Sequence, residues 1–127
     1  MTVKLYNLLR FSDFFEITKN TSIPIKLSYK IAMINHESEK IQQFYNQEMT
    51  KIINKYGARD AEDKLVPSDN GQGVKIKEEE INNCYTEINQ LENTEVDVPD
   101  YCFSIDELES LSLTPMEVNI IIPFIKN

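Results

Sequence analysis

Apolar residues recur along this chain at two spacings, and the change from one to the other marks where helix gives way to ribbon. Between Pro24 and Tyr56 they fall at Leu27, Ile31, Ile34, Ile41, Tyr45, Ile52 and Tyr56, with Phe44, Met49 and Ile53 flanking the line. Steps of three and four place these residues along one side of an α-helix. Ser38 and Glu48 interrupt a strict heptad, so the stripe does not specify a two-stranded coiled coil. Pro24 suits the first helical turn, with Thr21 or Ser22 upstream as a cap, and Gly57 stands where a left-handed helix stop is expected. A long helix is therefore predicted over 24–57.

Residues 1–22 form a short apolar element. Val3, Leu5 and Tyr6 fit a brief strand, and Leu8, Leu9, Phe11, Phe14, Phe15 and Ile17 a helix entered near Ser12-Asp13 or a few residues earlier. Past Gly57 the period changes. Residues 58–63 read as a charged connector, and Leu65-Val66-Pro67 and Val74-Lys75-Ile76 flank a turn-forming stretch. Asn70 and Gly71 at the central turn positions pair Leu65 with Ile76 and Pro67 with Val74, a hairpin over 64–77. Such a ribbon is marginal alone, and Pro67 marks an exposed edge, so it needs packing or a partner.

Glu78, Glu79 and Glu80 then suit the first turn of a second helix over 78–92, where negative charge favours the helix dipole. Its narrow apolar face of Ile81, Cys84, Ile88 and Leu91 matches the C-terminal half of the long helix. Val96, Val98 and Tyr101 alternate with acids as a short edge strand. Ser104 with Glu107, and Thr114 with Glu117, are capping boxes. Phe103 with Leu108, and Leu113 with Val118, supply the accompanying staples. Two short helices follow at 105–111 and 115–125, with Pro123 bending or ending the second. The fold class is mainly α with a small β-ribbon (α+β), as a single domain over 1–127.

Composition agrees. An apolar fraction of 41%, with six Phe and six Tyr, is that of a folding chain. Three Gly and five Pro are few for a β-sandwich. The net charge of −8 is uneven along the chain, residues 1–57 carrying +3 and residues 58–127 carrying −11. An acidic half repels phosphate, so direct binding to a nucleic-acid backbone is not expected. It reads first as a solvated surface that keeps a small protein soluble, and second as a face for a basic partner or for the basic half of a neighbouring copy. No apolar run approaches the ~18 residues of a membrane span, and the first residues do not resemble a signal peptide. Cys84 and Cys102 therefore read as reduced thiols of a cytosolic protein.

Catalytic patterns are absent from the sequence. His36 is the only histidine, set beside Glu37 and Glu39 on the long helix, and no glycine-flanked nucleophile accompanies it. The acids near the ribbon do not follow a calcium-loop spacing, and Glu92, Glu95, Asp97 and Asp100 read as a solvated strand edge. No cofactor or metal is expected. Lys75 and Lys77, beside Gly71-Gln72-Gly73, are candidate contacts for a small phosphate ligand. Tyrosine buries a ring while keeping a wet hydroxyl, which suits interfaces. The candidate interface set is Tyr29, Ile34, Ile41, Tyr45, Tyr56 and Tyr85. The long stripe exceeds what the second helix can cover, which points to a homo-oligomer.

Several stretches resemble small phage- and prophage-encoded proteins of low-GC Gram-positive bacteria. They are Ile23-Pro24-Ile25-Lys26-Leu27-Ser28-Tyr29-Lys30-Ile31, Phe44-Tyr45-Asn46-Gln47-Glu48, Lys55-Tyr56-Gly57, Val74-Lys75-Ile76 and Leu113-Thr114-Pro115-Met116-Glu117. Abundant Ile, Asn and Lys suit such genomes. The resemblance implies a phage origin and a location in the host cytoplasm or, alternatively, the virion. It transfers no catalytic residue. The expected function is non-enzymatic binding that antagonises a host defence factor, by inhibiting a protein or sequestering a signalling nucleotide. The alternative is an assembly or structural component such as a tail-assembly chaperone or connector.

Overall fold

The computed structural model describes residues 1–126. They pack as two units, one built from Met1–Gln42 with the chain from Thr94 onward, the other from Gln43–Asn93. The architecture is mainly α with a small antiparallel β component, as the patterning predicts. Helix α2 (Ile25–Tyr56) contributes its first half to one unit and its second half to the other.

In the first unit, β1 (Thr2–Lys4) pairs with β2 (Glu95–Asp97) in the register Thr2↔Asp97, Val3↔Val96 and Lys4↔Glu95. One residue further on, Val98 donates its N–H to the Met1 carbonyl at 2.9 Å and accepts from the Met1 ammonium at 2.9 Å. The sheet thus lies between the N-terminus and the segment after the second helix, and not in the ribbon over 64–77. Pairing across some ninety residues leaves no local sequence signal.

Helix α1 (Leu5–Thr18) follows β1 without a break, on the early side of the entry near Ser12-Asp13 or a few residues before it that the sequence suggests. It has no side-chain cap; the Leu5 N–H instead donates to the Thr94 carbonyl at 2.8 Å. Leu5, Leu8, Phe11, Phe14 and Thr18 repeat every three or four residues and are buried. Phe11 is the centre of this core, with ring centroids 5.5 Å from Phe14, 6.3 Å from Phe103 and 5.2 Å from Phe124. Leu27, Ile31 and Ile34 of α2 pack on the same cluster, with Ile41 at its edge.

Both capping boxes form. Glu107 N–H donates to Ser104 Oγ at 3.2 Å while the Ser104 N–H donates to Glu107 Oε1 at 3.0 Å. Thr114 and Glu117 repeat the exchange at 3.2 Å each. The helices they start, α4 (Ile105–Leu108) and α5 (Pro115–Ile121), are shorter than the patterning implies. Pro123 continues α5 only as a 3-10 turn over Ile122–Phe124, since its nitrogen has no proton to donate. The Phe103 N–H then donates to the Phe124 carbonyl at 2.7 Å, and the Lys126 N–H to the Phe103 carbonyl at 2.8 Å.

In the second unit, Ile52 and Tyr56 of α2 pack on Cys84 of α3 (Ile81–Glu92), with Met49, Ile76, Ile88 and Leu91 around them. Glu78–Glu80 make a single 3-10 turn ahead of α3. Between the helices the chain forms a closed three-way arrangement rather than a two-stranded ribbon. Ala58 donates to the Lys75 carbonyl at 2.8 Å, Lys75 to that of Val66 at 2.8 Å, and Val66 to that of Ala58 at 2.9 Å. Pro67 faces Val74 as the hairpin register predicts, but Ile76 faces Gly57 and Leu65 faces Arg59. The charged connector is therefore the third member that the ribbon needed. Asp60 shapes it, its Oδ1 accepting from the N–H of Glu62 at 2.9 Å and of Lys64 at 3.0 Å.

Candidate functional site

Each unit carries a surface recess. The first, about 430 Å³, is lined by Ile25, Lys26, Tyr29, Lys30, Tyr101 and Glu107. The first turns of α2 supply four of these residues, and the segments before and within α4 supply the other two. Ile25 is 80% exposed and Tyr29 55% exposed. Tyr29 and Tyr101 meet edge-to-face with centroids 6.0 Å apart. The neighbouring Tyr29 hydroxyl, burial and the carboxylate of Glu37 together push the Tyr101 phenol above its ordinary value.

Lys30 is pinned at this wall. Its ammonium donates to Glu107 Oε1 at 2.7 Å, to Oε2 at 2.9 Å and to the Cys102 carbonyl at 3.0 Å. The Lys30 ammonium, then the Ser104 backbone, hold the Glu107 carboxyl below the usual carboxylate range. Glu107 thus closes the α4 cap and anchors Lys30 at once. The recess is an apolar, aromatic surface with its charges already paired, apart from Lys26. Such a surface suits docking of a side chain from another molecule.

The second recess, about 600 Å³, has an apolar floor of Val74, Ile76, Ile81 and Cys84 beside Tyr85, with Asp69, Lys75 and Glu78 on its rim. Burial, followed by the Glu87 charge, pushes the Cys84 thiol up. Asn70 Oδ1 accepts from the Gln72 N–H at 2.9 Å and from Ser68 Oγ at 2.6 Å, fixing the loop above the recess.

The residues singled out in the sequence scatter between surface and core. Tyr29 and Tyr85 are exposed, each at one of the recesses. Ile34 and Tyr56 are only 3% and 8% exposed and belong to the two cores, so they leave the interface set. Ile41 packs at the edge of the first core. Tyr45 donates its hydroxyl to Glu92 Oε1 at 3.1 Å, an internal tie from α2 to α3. The premise of an uncoverable stripe is corrected too. Both ends of it are covered by their own chain, and among its members and flanking residues Phe44 is the one left exposed. Besides the cap residue Glu107, the members of the first recess that the interface set lacks are Ile25, Lys26, Lys30 and Tyr101. Ile25 lies off the stripe, and Tyr101 stands two residues after Pro99, outside any helix.

Lys75 and Lys77 are exposed, but only Lys75 lines the second recess, where Asp69 and Glu78 outnumber it. That rim disfavours a phosphate. The acids at the strand edge are engaged in structure. Asp97 accepts from Thr2 Oγ1 at 3.0 Å, and Asp100 lies 3.6 Å from the Lys126 ammonium. Between Lys55 and Tyr56, the Glu87 carboxyl is held below its ordinary range, first by the Tyr56 hydroxyl and also by the Lys55 ammonium. Lys55 contacts its Oε1 at 3.2 Å, while Oε2 is buried without a hydrogen-bond partner. Both cysteines are free, and His36 is exposed. Among the described residues, no three His, Cys, Asp or Glu side chains converge as a metal site requires, and no helix is long and apolar enough to cross a membrane.

Folding also redistributes charge. The first unit holds seven bases and eleven acids, the second six and ten, so each carries −4. The basic and acidic halves of the sequence do not become opposite poles; pairs such as Lys30–Glu107 and Lys55–Glu87 interleave them. Comparison with protein-family models, with curated proteins and with solved structures finds no match.

Proposed function

We propose that this chain is a non-enzymatic binding protein of phage origin that acts in the infected host by occupying the surface of a host defence factor. The observation that carries this reading is the open recess around Ile25, Tyr29 and Tyr101. Two large apolar side chains stay solvated there, beside an ammonium–carboxylate pair that holds the wall in place. Aromatic anchors in a fixed apolar depression are what a protein partner's hot spot packs against. Protein occupancy is favoured over sequestration of a nucleotide, because the candidate lysine Lys75 shares its recess with two carboxylates.

The test is a plaque assay in a host whose defence restricts an infecting phage. Expression of this chain restores plaques, and the Ile25→Ser/Tyr29→Ala pair, which changes only exposed side chains, does not. Restoration by that variant equal to the parent protein would remove the recess from the function.

A further inference from the structure

The second recess lies in the other unit and has a different chemistry. Its floor is apolar, and Tyr85, 62% exposed, stands at its side. Asp69 and Glu78 face it with Lys75, and none of the three forms an ion pair among the described residues. Glu79 and Glu80 follow Glu78 directly, so carboxylates outnumber the nearby ammonium groups of Lys75 and Lys77. Paired charges elsewhere in the unit, such as Lys55–Glu87 at 3.2 Å, show the contrast.

We propose that this recess seats a basic, partly apolar segment of a partner protein, read through an arginine. Charge complementarity selects the occupant: an acidic rim on an apolar floor matches a cation beside an aliphatic side chain. Arginine fits better than lysine, since its planar guanidinium stacks on the Tyr85 ring while donating paired hydrogen bonds to a carboxylate. Lys75 opposes a second cation and so limits how many basic residues enter. The proposal is independent of the docking surface in the first unit.

A fluorescein-labelled, terminally blocked peptide of alternating arginine and leucine, titrated by anisotropy with the full chain, tests it. Asp69→Asn and Glu78→Gln each weaken binding by about tenfold, the effect of one charge-assisted hydrogen bond. Tyr85→Ala weakens it as well, and Lys75→Met tightens it. Asp13→Asn and Glu109→Gln, which remove the same charge in the first unit, change it by less than about twofold. The matching lysine–leucine peptide binds more weakly than the arginine form. Equal losses at all four acids would reduce the effect to net charge and overturn the proposal. So would peptide-free sedimentation in which the protein self-associates and Asp69→Asn/Glu78→Gln abolishes it, because the occupant would then be a second copy.

Discussion

Gly57 ends α2, but its role differs from that of a left-handed cap. Among the glycines, positive φ belongs to Gly71 and Gly73, at 74° and 84°, and not to Gly57. What requires glycine at 57 is proximity: an added Cβ would stand 2.6 Å from the Ile53 carbonyl oxygen and 2.6 Å from Leu65 Cδ2. Gly57→Ala should therefore cost about 1–3 kcal/mol by urea denaturation, as overpacking does. A second residue, Glu107, sets part of the acid response. Its carboxyl is held low in the folded state, so the stability it contributes is complete above the unfolded value, near 4.3, and is lost as pH falls through the folded value below it. Glu107→Gln keeps the capping geometry and removes the charge. Its stability deficit at neutral pH should shrink as pH drops below about 4, and a deficit unchanged down to pH 2 would show that the Lys30 pair contributes nothing.

At the scale of elements, the three backbone segments at Ala58, Val66 and Lys75 close on one another through one hydrogen bond per pair of these residues. Their amides should exchange more slowly than those at Asp69 and Asn70, whose N–H groups lie in the exposed turn. Mass-resolved exchange showing all of these equally fast would mean the arrangement opens freely. The elements differ in how far the sequence reveals them. The stripe of α2, the face of α3 and both capping boxes were legible because their signals are local: a period, or a polar pair three residues apart. The β1–β2 pairing and the Gly57–Ile76 contact were not, because each depends on partners brought together by the whole chain. The same reason hid the first recess. Tyr29 was legible as an interface residue, but its partner Tyr101 lies seventy-odd positions away and joins it only in the fold. Ile34 and Tyr56 show the converse, since an apolar stripe does not say which of its members the chain itself will cover.

For the molecule as a whole, the fold turns an unevenly charged sequence into two units of equal charge, each offering an apolar recess of its own character. The recess in the first unit has its principal charges paired, and the one in the second unit does not. The proposed function places docking at the first recess. The most direct test is native mass spectrometry of the tagged chain recovered from infected host cells. The expected result is a complex of fixed stoichiometry with a host protein, absent when Ile25→Ser and Tyr29→Ala are introduced together. Recovery of the bare chain alone, or of the same complex with that variant, would contradict it.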